Sequence, residues 1–65
     1  MKRYKVKQIV RLLTKRGWYL KRTRGDHRQF ANDNIPGIVT VSGKDNETVN
    51  QELLNSIWKQ AGWKR

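Results

Sequence analysis

Residues 18–41 hold three extended runs in succession, with nothing between them that reads as a helix. Trp18 to Thr23 reads as a strand, Arg24-Gly25 as a turn, and Asp26 to Ala31 as a second strand. Asn32-Asp33-Asn34-Ile35-Pro36-Gly37 is dense in turn formers, and the β-branched run Ile38-Val39-Thr40-Val41 reads as a third strand. Parallel neighbours need a crossover of a dozen or more residues, and these spacers are far shorter. The pattern therefore predicts an antiparallel meander.

Two amphipathic helices are predicted around it. In residues 3–16, Val6, Val10 and Leu13 recur at i, i+4 and i+7, with Ile9 and Leu12 beside them. Lys15 and Arg16 suit the negative end of that helix, and Gly17 suits a left-handed cap. Thr48 reads as the N-cap of the last helix, with Gln51 completing a capping box. Val49, Leu53, Ile57 and Ala61 form its apolar stripe, widened by Leu54. Gly62 fits the C′ position, and Trp63 is expected to fold back onto Trp58 or Ile57. The expected fold is α+β in the order α-β-β-β-α, a three-stranded antiparallel sheet with two helices on one face, as one domain over residues 1–65.

Such a sheet leaves its second face open. Taking Phe30 as a core residue, alternation puts Asp26 and Arg28 on the helix side and His27 and Gln29 on the open side. In the first strand, Trp18 and Leu20 should face the helices, while Tyr19, Lys21 and Thr23 share the open face with His27. A bulge at Gly25 would invert part of this parity.

Charge narrows the partner. The chain carries a net +10. Residues 1–28 hold eleven Lys or Arg against one acid, Asp26, and residues 29–65 hold four of each sign, so the whole excess lies in the first helix and hairpin. Lys7, Arg11 and Lys15 form a like-charged stripe on the helix, which favours an external anion. Lys2, Arg3, Lys5 and Lys7 suit steering of a polyanion, or stand solvated. Nucleic acid is the expected partner. A membrane surface is not, because the first helix lacks a bulky face with Trp or Phe. No apolar run suits a signal peptide or membrane helix, and the chain has no cysteine, which fits the cytoplasm. One histidine and five acids leave little material for a metal site, and no cofactor is expected.

That one histidine, His27, lies in Arg22-Thr23-Arg24-Gly25-Asp26-His27-Arg28-Gln29-Phe30. An imidazole can exchange protons near neutral pH, and guanidinium forks suit phosphate oxygens. Proton chemistry beside phosphate grips is what RNA cleavage requires. On composition alone, a lone histidine in a small basic domain is more often a plain surface residue.

The run Gly17-Trp18, then Arg22, then Gly25-Asp26-His27-Arg28-Gln29-Phe30 resembles the signature of HicA-type toxins, the small mRNA interferases of bacterial toxin–antitoxin pairs. Val39-Thr40-Val41 and Ile57-Trp58-Lys59-Gln60-Ala61-Gly62 are similar to that family's third strand and final helix, so the resemblance covers nearly the whole chain in order. It implies a fold like that of double-stranded-RNA-binding domains. It implies a catalytic role for His27, the turn role for Gly25, metal-independent cleavage of RNA, and a HicB-type antitoxin covering the His27 face. Asp26 and Arg28 depart from the family, which usually has Ser before the histidine and often a second histidine after it.

Phosphate contacts are expected from Arg22, Arg24, Gly25, Arg28 and Lys21, with Lys7 and Arg11 extending the basic surface. Tyr19, Lys21 and Arg22 are the expected sources of a second catalytic group. Trp18 reads as core rather than as a base-stacking platform, and Trp58 and Trp63 as helix-end packing or a protein contact. The rival readings are a non-catalytic RNA-binding module and a small basic scaffold associated with ribosomes.

Overall fold

The computed structural model describes residues 3–63, with Lys2 outside the described residues. The order is α1 (Val6–Lys15), β1 (Tyr19–Arg24), β2 (His27–Asn32), β3 (Ile35–Ser42) and α2 (Gln51–Ala61). The strands form one antiparallel sheet in the order β1-β2-β3. Both helices pack against β3. The core unites Val6, Ile9 and Leu13 of α1 with Phe30, Val39 and Val41 of the sheet and with Ile57 and Ala61 of α2. Trp18, immediately before β1, is also buried there, as expected.

Alternation explains the sheet side of this core. Phe30 stands opposite Val39, and Arg28 opposite Val41, so these four point to the helix side. Gln29 opposite Thr40, and His27 opposite Ser42, point to the other side.

The element boundaries depart from the sequence reading where distant segments meet. The first helix begins at Val6 rather than residue 3 because the chain before it is tied to the loop before α2. Lys5 bridges Thr48, Val49 N–H donates to the Tyr4 carbonyl at 2.8 Å, and Val6 N–H donates to the Glu47 carbonyl at 2.9 Å. Thr48 is therefore in an extended bridge and is not the N-cap. That role falls to Asn50, whose side chain accepts from Leu53 N–H at 2.8 Å. Gln51 instead donates along the helix to Asn55. At the other end Gly62 is left-handed (φ 73°), and Trp63 packs edge-on against Trp58 at 4.8 Å between ring centroids, as expected.

The third strand begins at Ile35, three residues before the predicted start. Asn32 stands opposite Ile35, which confines the turn to Asp33-Asn34. Pro36 is tolerated because β3 is an edge strand. The other edge is β1, exposed along its whole length. Leu20 pairs with Phe30 and so lies on the helix side, yet it is 52% exposed because the helices cover β3 and not β1.

Candidate functional site

The β1–β2 hairpin builds the site. Its turn centres on Gly25-Asp26, one residue later than the sequence suggests. Gly25 has φ 57°, and among the described residues no non-glycine residue has positive φ, the pattern of a type II′ turn. A Cβ at Gly25 would meet nothing within 4 Å, so the backbone conformation, not crowding, calls for glycine.

The ladder slips between Leu20 and Arg22, which leaves Lys21 as an extra residue. This bulge reverses the parity beyond it. Arg22 stands opposite Gln29 and Arg24 opposite His27, so both arginines join His27 on the open face, while Thr23 joins Arg28 on the helix side. The expectation that Thr23 shares the open face is corrected here. Tyr19 does lie on that face, opposite Ala31, but it stands four residues along β2 from His27, about 13 Å at strand spacing. Its hydroxyl approaches Asp33 at 3.4 Å.

His27 has β1 on one side and β3 on the other, with Arg24 and Ser42 as its cross-strand neighbours. Ser42 is a nearby hydroxyl that sequence reading missed, because only the β2–β3 register reveals it. The His27 side chain is 58% exposed, and its Nδ1 lies 3.0 Å from Asp26 Oδ1. Alternation had put these two residues on opposite faces. Asp26 is in the turn, outside the strand, so alternation does not govern it. Its carbonyl accepts a hydrogen bond from Gly43 N–H at 3.1 Å, which ties the turn to the end of β3.

Arg28 lies on the helix side, and its guanidinium is held by Asp45. Thr23, Asp26, Arg28, Gly43, Asp45 and Glu47 are among the residues lining a concavity of about 800 Å³ at this end of the sheet. His27 is not among them. Lys7, Arg11 and Lys15 are exposed on α1, in the layer on the other side of the sheet from His27. The structure thus brings together His27, Arg22, Arg24, Gly25 and Asp26, and sets Arg28, Lys7 and Arg11 apart from them. Among the described residues, no group of three or more His, Cys, Asp or Glu is placed to hold a metal ion, and no helix is long and apolar enough to cross a membrane.

These features define a small α+β domain with a basic hairpin that presents an imidazole on an uncovered sheet face. The family model described as the HicA toxin of bacterial toxin-antitoxin systems matches residues 6–63, all five elements and the hairpin included. The chain belongs to this family, and so is the toxin member of a pair completed by an antitoxin. No match is found among curated proteins.

Proposed function

We propose that this toxin is a metal-independent endoribonuclease, an mRNA interferase, with His27 as its catalytic residue. One observation carries the reading. The exposed imidazole of His27 shares the open face with Arg22 and Arg24, the latter directly across the ladder. RNA brings its own nucleophile, the 2′-OH. Neutral His27 takes the 2′-OH proton as the oxygen attacks phosphorus, and the bond to the 5′-oxygen breaks. Arg22 and Arg24 balance the charge that grows on the phosphoryl oxygens. Gly25 lets the substrate backbone come close, and Lys21, Arg28, Lys7 and Arg11 extend the field that attracts the strand. A single histidine cannot remove one proton and deliver another in the same step, so solvent or a second group protonates the leaving oxygen. RNA as substrate puts this activity in the cytoplasm.

The antitoxin partner is a HicB-type protein that covers the His27 face with acidic residues. The charge distribution supports this, since the excess of +10 lies within residues 1–28.

The test is incubation of the wild type and His27→Ala with a long single-stranded RNA in EDTA, followed by gel electrophoresis. Cleavage by the wild type alone is expected, with DNA bound but left intact. RNA uncut by a folded wild type that still binds it would move the reading to a non-catalytic RNA-binding module.

A further inference from the structure

Asp26 Oδ1 lies 3.0 Å from Nδ1 of its neighbour His27, an ion-pair contact between two exposed side chains. A carboxylate only accepts hydrogen bonds, so at Nδ1 it selects the imidazole form whose proton is on that nitrogen. In the neutral ring, Nε2 then carries the free lone pair. We propose that Asp26 is a positioning residue that fixes the His27 tautomer and makes Nε2 the nitrogen that takes the 2′-OH proton. This rests on the ribonuclease reading above and deepens it.

Three observations hold Asp26 in this role. Its position in the turn is set by the left-handed Gly25 before it and by the Gly43 N–H on its own carbonyl. The His27 backbone is held by β1 and β3 at Arg24 and Ser42, so the main chain on both sides of the 3.0 Å contact is fixed. The competing cation next in sequence, Arg28, points to the other side of the sheet and is taken up by Asp45. The charged groups around the pair are therefore Arg24 across from His27, and Arg28, Lys44, Asp45 and Glu47 around the concavity that Asp26 also lines.

The test compares the wild type with Asp26→Ala, a change in an exposed turn residue whose effect on the fold is checked by the backbone amide spectrum. Long-range proton–nitrogen NMR of the free protein reads the neutral His27 tautomer, and single-turnover cleavage of RNA reads the chemistry. Wild type is expected to hold the proton on Nδ1, and Asp26→Ala to move it largely to Nε2. The cleavage rate should fall about tenfold or more, a part of the roughly 10²–10⁴-fold that a positioned general base supplies, with little change in RNA affinity. An unchanged tautomer, or a changed tautomer with an unchanged rate, overturns the proposal while leaving the ribonuclease reading intact. A wild type that cuts no RNA overturns that reading, and this role with it.

Discussion

Arg24 stands directly opposite His27 across the β1–β2 ladder, and it does so only because Lys21 is bulged out between Leu20 and Arg22. The bulge turns Arg22 and Arg24 onto the open face, whereas Arg28 stays on the helix side with Asp45. Three arginines that look equivalent in sequence are thereby placed on two faces of the sheet. Arg24→Ala is expected to lower kcat/KM on RNA about tenfold, or about 1.4 kcal/mol. It should also reduce the slope of log affinity against log salt by about 0.7, as one lost phosphate contact on a single strand. Arg28→Ala should change kcat/KM by less than about threefold. Parallel salt titrations of the two variants decide the matter, and equal losses would contradict the division.

His27→Ala should abolish cleavage and leave the fold in place. The side chain is 58% exposed, and it contacts an equally open carboxylate. Substitutions at such sites change stability within about 0.5 kcal/mol, which for a domain this size is about 4 °C or less in Tm. A larger drop in thermal unfolding would mean that loss of cleavage reports loss of fold.

Gly25→Ala should destabilise the hairpin by about 1–2 kcal/mol, since φ at 57° is costly for an L side chain. No neighbouring atom lies within 4 Å to add a clash. Gly25→Asn should cost less, because Asn tolerates positive φ. Equal losses in urea unfolding for both variants would point to something other than backbone conformation.

Trp18 is buried, and its Nε1 is without a hydrogen-bond partner. Trp18→Phe removes packing volume but also removes that unpaired N–H, which by itself costs about 1–3 kcal/mol. The two changes oppose each other, so the net loss in urea unfolding should stay below about 1.5 kcal/mol. Trp18→Ala removes the same N–H but loses the whole ring's packing, and should cost about 3–5 kcal/mol.

The sequence alone determined the order of elements, the antiparallel meander, and most of the core. These follow from local periodicity and spacing: Phe30, Val39 and Val41 are buried as alternation requires, and Gly62 and Trp63 close α2 as their order along the chain suggests. The basic block and the His27 segment were also legible, since charge and residue type do not depend on folding. What the tertiary structure decided was every relationship set by a partner segment. The pairing of Lys5 with Thr48 moved the start of α1 and passed the N-cap to Asn50. The cover of β3, and not β1, left Leu20 exposed. The bulge at Lys21 chose which arginines face His27, and the turn brought Asp26 onto Nδ1. A strand's alternation is a local property, but its register belongs to two strands at once, so no reading along one strand can fix which residues meet across the sheet.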